Sequence, residues 1–295
     1  MTLGKYRIHS GIIGSGKMSD NVINRISIKK HEIILRIIVY TVSIILLFMT
    51  VYPFIQMIGE FIGLEVDNPS KVLKIVPKRW KEFLSFIHSR VATGFVNSVI
   101  VTASSTVLNV YFSAMTAFSI SVYKWKFRKA FGNMILILMM IPTTVAAAGF
   151  IPLAYKFHMN NTLSILILPA IATPISVVFM RLYLDSAFEK ELVYSARIDG
   201  AGELRIFHQI ALPILKPAIA TQAVFAVASS WNDTFKPMVL LTEDSKRTLP
   251  VMLSLNRAMG ESVMPDFISI VPLVIVYIIL SRHLVEDVRL GSVKL

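Results

Sequence analysis

The chain has 295 residues, of which 55% are hydrophobic and 16% charged, with a mean hydropathy of +0.65. A soluble domain carries about 25% charged residues, so this composition excludes a disordered chain or an ordinary water-soluble globule and points to a bilayer. The net charge of +12 would suggest nucleic acid as a partner of a soluble protein, but membrane topology accounts for it here and no nucleic-acid partner is expected. The absence of cysteine excludes disulfides, thiolate nucleophiles and cysteine-based zinc sites.

Residues 1–32 form a polar, basic tail. Within it Gly11-Ile-Ile-Gly-Ser-Gly16-Lys17 imitates a phosphate-binding loop, but Met18 stands where a Ser or Thr hydroxyl must reach magnesium. A short tail also offers no strand and parallel sheet to hold such a loop, so no ATP binding is expected of this chain. No small-residue cleavage site follows the first apolar run, which therefore reads as a retained anchor.

Apolar runs near residues 37–58, 93–122, 131–154, 163–183, 214–241 and 267–281 predict six transmembrane helices. Helices rather than barrel strands are required, because the runs lack period-2 alternation and every backbone polar group in lipid must be paired internally. With the N-terminus inside, nineteen of the 30 Lys and Arg fall on the inner side. The short loop Tyr123-Lys-Trp-Lys-Phe-Arg-Lys129 carries the clearest bias, so both termini are predicted cytoplasmic. Two segments are too long for simple connectors: the outer segment 60–92, with Lys71, Lys74, Lys78, Arg79 and Lys81, and the inner segment 184–212. Prolines such as Pro142, Pro152, Pro169, Pro174 and Pro217 predict kinked helices around a cavity.

The inner segment is the most informative. Leu192, Ser195, Ala196 and Asp199 fall at helical spacing, and Leu204, Phe207 and Ala211 form a second stripe, which predicts two short amphipathic helices. Gly200 and Gly202 lie between them, where a positive-φ turn is needed. Pro213 and Pro217 follow. The pattern predicts a rigid knuckle offered to a cytoplasmic partner.

These residues resemble the permease subunits of binding-protein-dependent ABC importers, whose signature is Glu-Ala-Ala, three residues, Gly, nine residues, Ile, one residue, Leu-Pro. Here Tyr194-Ser195-Ala196 stands for the triplet, Gly200 follows at the required distance, and Ile210-Ala211-Leu212-Pro213 completes the pattern. The departure is Tyr194, which replaces the family's glutamate. Further matches are Gly94-Phe-Val-Asn-Ser-Val-Ile-Val-Thr102, Met140-Ile-Pro142, Ala196-Arg-Ile-Asp-Gly-Ala201, Ser230-Trp-Asn-Asp233 and Gly291-Ser-Val-Lys294. They resemble the carbohydrate-uptake branch, MalG-like and of the LplC/YtcP type.

The resemblance implies an all-α membrane protein of MetI-like fold, with a transmembrane permease domain over 33–295, in a bacterial cytoplasmic membrane. It also implies a second homologous permease subunit, an ATPase subunit dimer that holds ATP and magnesium, and an extracytoplasmic solute-binding protein that delivers a saccharide. This chain would bind no cofactor and would not be an enzyme. Tyr194, Ser195, Ala196, Arg197, Asp199, Gly200, Glu203, Leu212 and Pro213 would form the loop that couples to the ATPase.

The fifth run is the most polar, so Trp231, Asn232 and Asp233 are candidates for the substrate pathway, with Asn97 and Asn109 on the second run as further candidates. Trp231 is suited to stack on a sugar ring and Asn232 to bond hydroxyls. The alternative reading is that these side chains hold helices together. The six histidines are scattered without ligand spacing, so no metal site is expected, and no nucleophile elbow or buried carboxylate pair suggests catalysis. An ion-gradient-driven secondary transporter is the alternative function. It needs ion-coupling charges within the spans and inverted repeats, and Asp233 alone resembles such a charge.

Overall fold

A computed structural model describes residues 33–52, 54–56, 81, 90–189, 191–258 and 269–281, and no strand occurs among them. The tail 1–32 with its loop-like Gly11–Lys17, most of the outer segment 60–92, and Gly291–Lys294 lie outside the described residues. The chain divides into two compact units, residues 1–75 and 76–295. In the first, helix α1 (Ile33–Gln56) is 24 residues long and strongly apolar, enough to cross a bilayer.

The second unit is built around α2 (Arg90–Val122), a helix of 33 residues that spans about 50 Å, longer than the hydrocarbon core. Its buried face is rich in small side chains, set beside Val101, Phe118 and Ile120. Ser98, Ser105, Ser113, Ala114, Ala117 and Ser121 are all at most 6% exposed. Lipid gives no hydrophobic drive for helices to associate, so close approach of backbones supplies the packing energy, and small residues permit it. Helices α6 (Pro174–Ala187) and α10 (Lys216–Trp231) pack against this face.

Two predicted spans are sharply bent. α3 (Arg128–Met139) and α4 (Thr143–Lys156) meet at 99°. Pro142 caps α4 in an extended conformation and disfavours helical geometry at Ile141, so the helix tightens into three-residue turns, with Met140 N–H on Ile137 and Ile141 N–H on Leu138, and stops. The fourth predicted span is one 24-residue unit, Ser164–Ala187. It comprises α5 (Ser164–Ile167), a 3-10 turn over Leu168–Ile171 and α6, with Pro169 and Pro174 at the joints.

The segment that follows α6 holds α7 (Glu191–Ile198), α8 (Glu203–Ile206), a π turn over Phe207–Ala211 and α9 (Leu212–Ile214). The stretch Glu203–Ile214 then turns by 77° into α10. The run 214–241 is therefore not one helix. α10 stops at Trp231, Asn232 folds its side-chain amide back onto the Ala228 carbonyl at 2.8 Å, and α11 (Phe235–Leu240) returns against α4. α12 (Leu249–Ala258) packs on α2, where the Leu249 N–H donates to Ser98 Oγ at 2.8 Å. Asn161, in a left-handed conformation at φ 57°, accepts from the backbone of Thr242 and Glu243 and so ties the α4–α5 loop to the end of α11. α13 (Ser269–Ser281) is apolar but short.

Among the described residues, three helices are thus long and apolar enough to cross a membrane, and five if each bent pair is one span. The protein is an all-α, multi-pass membrane protein. Ala117 is fully buried between α2 and its neighbours. Ala117→Leu should destabilise the fold by about 1–3 kcal/mol through overpacking, read as a lower thermal-unfolding midpoint in detergent, whereas Val107→Leu, at an exposed position of the same helix, should leave it unchanged.

Candidate functional site

Two features of the second unit carry chemistry, and both are positioned by α2. The first is the knuckle. α7 ends in a six-residue capping turn: the Ala201 N–H returns to Ala196 O at 2.9 Å and the Gly200 N–H to Arg197 O at 3.0 Å, a Schellman arrangement. Gly200 adopts φ +79° to close it. A Cβ there would meet no atom within 4 Å, so the demand for glycine comes from the backbone angle alone. Gly202 then begins α8 in an extended conformation.

Charged groups fix the bend. Arg197 donates from Nε to Glu203 Oε1 at 2.8 Å, and the Tyr123 hydroxyl donates to Glu203 Oε2 at 2.6 Å. The guanidinium also lies over the Tyr123 ring, 5.7 Å from its centroid. The Arg197 hydrogen bond, followed by that of Tyr123, holds the Glu203 carboxyl below its ordinary value. Burial first, and then the bond to Glu203, pushes the Tyr123 hydroxyl up to about 12. Tyr123 therefore stays a donor through the neutral range.

The knuckle is seated on an apolar cluster. Val193, Ile206, Phe207 and Ala211 are buried against Ala114, Ala117 and Phe118 of α2 and Met180 and Leu184 of α6. Phe207 meets the ring of Tyr111 edge-on at 5.9 Å and that of Phe118 at 5.6 Å. His208 Nδ1 lies 2.7 Å from the Leu204 carbonyl and Nε2 lies 3.2 Å from the Tyr111 hydroxyl. A neutral ring protonated on Nδ1 satisfies both contacts. The π turn sits where Pro213 has no N–H to continue the ladder, and the Leu212 N–H reaches five residues back to Phe207 O.

This geometry shifts the predicted stripes. On α7 the inward residues are Val193 and the half-buried Ala196, while Leu192, Ser195 and Asp199 are exposed. On the second arm Ile206 rather than Leu204 faces inward, and Leu204 is 68% exposed. The outer surface of the knuckle thus presents Leu192, Tyr194, Ile198 and Leu204 to solvent, Ile198 at 87% exposure.

The second feature is a cavity of about 540 Å³ enclosed by α2, α4, α5, α6, α10 and α11, within the range of ligand sites. Ser98, Thr102, Ser105 and Asn109 line it from one face of α2, Ser176 from α6 and Gln222 from α10. Ser176 Oγ donates to Gln222 Oε1 at 3.0 Å. The hydroxyls of Thr102, Ser105 and Thr248 line the cavity, are buried and have no hydrogen-bond partner. At the rim Asp233 pairs with Lys236 at 2.7 Å.

Of the predicted pathway residues, Asp233 lines the cavity, as does Asn109. The others do not. Trp231 is 3% exposed, packed with Val91, Phe95, Leu249 and Met252, and its indole N–H donates to the Ser269 carbonyl at 2.8 Å. The Trp231 side chain is thus almost wholly covered by protein in this conformation. Asn232 caps its own helix, and Asn97 pins the 245–247 turn through the carbonyls of Ser245 and Arg247. The hydroxyl stripe missed in the sequence had a visible signal. Positions 98, 102, 105 and 109 are spaced by four, three and four, which aligns them along one helix face.

The helical arrangement is that of a multi-pass membrane protein. Its fold matches a crystal structure of a bacterial ABC transporter involved in the import of the acidic polysaccharide alginate, with a TM-score of 0.66 over 92% of this chain and 99% of that one, at 19% identity. Residues 109–289 match the family described as binding-protein-dependent transport system inner membrane component. The chain is 36% identical over 207 residues to the arabinooligosaccharides transport system permease protein AraQ of Halalkalibacterium halodurans, covering 68% of this chain and 74% of that protein. It is 25% identical over 280 residues to the trehalose/maltose transport system permease protein MalG of Thermococcus litoralis, covering 90% and 99%. The chain belongs to the binding-protein-dependent transport inner membrane components. It is the membrane-embedded permease subunit of an ABC importer, and ATP hydrolysis belongs to another subunit.

Two outcomes test the geometry. Glu203→Gln removes a carboxylate held ionised by its partners. Because the folded-state value is lowered, the clamp contributes above the ordinary carboxylate value of 4.5 and is lost as pH falls through the folded value. The stability difference between wild type and Glu203→Gln should therefore be constant near neutrality and shrink below about pH 4.5, measured as unfolding midpoints across pH. Trp231→Phe should lower stability by about 1 kcal/mol or more through the lost indole bond and reduced packing, read by thermal unfolding of the purified chain.

Proposed function

We propose that this chain forms one half of the translocation pathway of a saccharide importer. It pairs with a second homologous permease, is driven by an ATPase dimer docked on the knuckle, and is supplied by an extracytoplasmic solute-binding protein. The observation that carries this reading is the fixed bend between α7 and α8, with apolar side chains on its outer surface and a buried seat on α2 beneath. A device that transmits nucleotide-driven closure must be stiff, must expose a docking face and must be packed against the helices that move. Tyr194, Ser195, Arg197, Asp199 and Gly200 shape that face, and Leu212 and Pro213 connect it to α10. The absent family glutamate at Tyr194 leaves Ile198 and Leu204 as the main apolar contacts.

In this reading the chain crosses the membrane six times, with the two bent pairs and α13 each counted as a crossing and both termini cytoplasmic. The permease domain runs over 33–295. The excess of basic residues in the 123–130 loop, Lys124, Lys126, Arg128 and Lys129, supports the orientation, since Tyr123 bonds Glu203 and so lies on the knuckle's side. A carbohydrate substrate is supported by the names of the relatives, which transport arabinooligosaccharides and trehalose or maltose. The polar wall of the cavity, with Asn109, Gln222 and Asp233, suits a multiply hydroxylated solute. Trp231, Asn232 and Asn97 support that wall from behind.

The test uses the assembled importer in vesicles. Gly200→Val should force a β-branched residue to φ +79°, a strain of about 1–2 kcal/mol, and uncouple ATP hydrolysis from binding protein and substrate. Leu204→Asp, at an exposed position, should weaken ATPase attachment while the permease inserts and unfolds normally. Normal uptake in both variants would remove the coupling role.

A further inference from the structure

A second cavity, of about 290 Å³, lies away from the proposed pathway, where the end of α2, the start of α3 and the end of α6 converge. Its wall includes Ser121 of α2, Arg128 of α3, and Arg181, Asp185 and Phe188 at the end of α6. Two guanidiniums therefore face one carboxylate, an excess of one positive charge in a confined space. Neither arginine is saturated by its contacts. Arg128 donates to the Tyr123 carbonyl at a long 3.4 Å, and Arg181 lies 3.6 Å from Asp185, whereas each guanidinium carries five N–H donors.

Two further observations point to an anion. Ser121 is 6% exposed, and its hydroxyl is buried at the cavity wall without a hydrogen-bond partner, a state that normally costs about 1–3 kcal/mol. Gly132 gives the Arg181 side chain room to reach α3, since a Cβ there would stand 3.0 Å from its terminal nitrogen. Guanidiniums with a nearby hydroxyl match the oxygen array of a phosphate group, which planar donors recognise in paired fashion.

The source of the phosphate follows from the surroundings. The adjoining loop carries Lys124, Lys126 and Lys129 with exposed Trp125 and Phe127. Interleaved basic and aromatic side chains mark the headgroup layer of a membrane and attract anionic lipid. We propose that this cavity binds the phosphate of an anionic phospholipid headgroup through Arg128, Arg181 and Ser121, with Asp185 as an internal competitor that limits affinity.

The proposal is tested on the full chain in nanodiscs and in detergent. Titration with phosphatidylglycerol, phosphatidylcholine or inorganic phosphate is read by native mass spectrometry and by the shift in unfolding midpoint. Phosphatidylglycerol should bind in preference to phosphatidylcholine. Arg128→Gln and Arg181→Gln should each weaken it about tenfold, the effect expected for a charge-assisted bond. Asp185→Asn should strengthen it severalfold, a gain that loss of packing cannot produce, and this variant keeps the test decisive if an arginine variant misfolds. Competition by millimolar phosphate alongside lipid binding supports recognition of the phosphate group itself. Binding of inorganic phosphate without lipid would overturn the lipid assignment and leave a site for soluble phosphate. Equal binding of both lipids, or no change in Asp185→Asn and the arginine variants, would overturn the site.

Discussion

The close packing of α2 against α6 and α10 is the constraint on which both functional features depend. The buried face of α2 is rich in small side chains, Ser98, Ser105, Ser113, Ala114 and Ala117, so neighbouring backbones come near without a hydrophobic force to drive them. One stretch of that face, Ser98 to Asn109, lines the large cavity. The next, Ala114 to Phe118, is the floor on which the knuckle sits. A displacement of the knuckle thus acts on a helix that also forms the cavity wall, and close-packed interiors transmit such displacements instead of absorbing them.

The knuckle keeps its shape by two independent means. Backbone bonds around Gly200 set the direction of the turn, and the contacts among Arg197, Glu203 and Tyr123 brace it against the 123–130 loop. Exposed ion pairs contribute little to stability, and Arg197 and Glu203 are both substantially exposed. Their value is geometric: they tie the α7–α8 bend to the residue that follows α2. The family signature has a glutamate where this chain has Tyr194. Here the carboxylate that organises the bend comes from Glu203, at the start of the second arm, where it also complements the helix N-terminus.

The polar residues of the membrane-embedded region divide by what surrounds them. Trp231, Asn232 and Asn97 donate to backbone carbonyls of the protein. Thr102, Ser105 and Thr248 are buried at the cavity wall with no protein partner. A side chain's chemical type did not separate these groups, because an amide or an indole can serve either purpose.

The sequence by itself determined that this chain is helical and membrane-embedded, because sustained apolar runs have only one way to satisfy their backbone in lipid. It also determined the knuckle, because the spacing from Ala196 through Gly200 to Pro213 is local and the turn is closed by bonds within six residues. What only the tertiary structure decided was the number of continuous helices, the inward face of each knuckle arm and the residues lining the cavity. The run 214–241 holds apolar residues on both sides of Asn232, and only the structure shows α11 folding back onto α4 after the break. Val193 and Ile206 are chosen over Leu192 and Leu204 by the position of Phe118, which lies some seventy residues or more earlier in the chain. Composition records how much surface must be buried. Which surface meets which depends on packing between distant segments, and that information is not local.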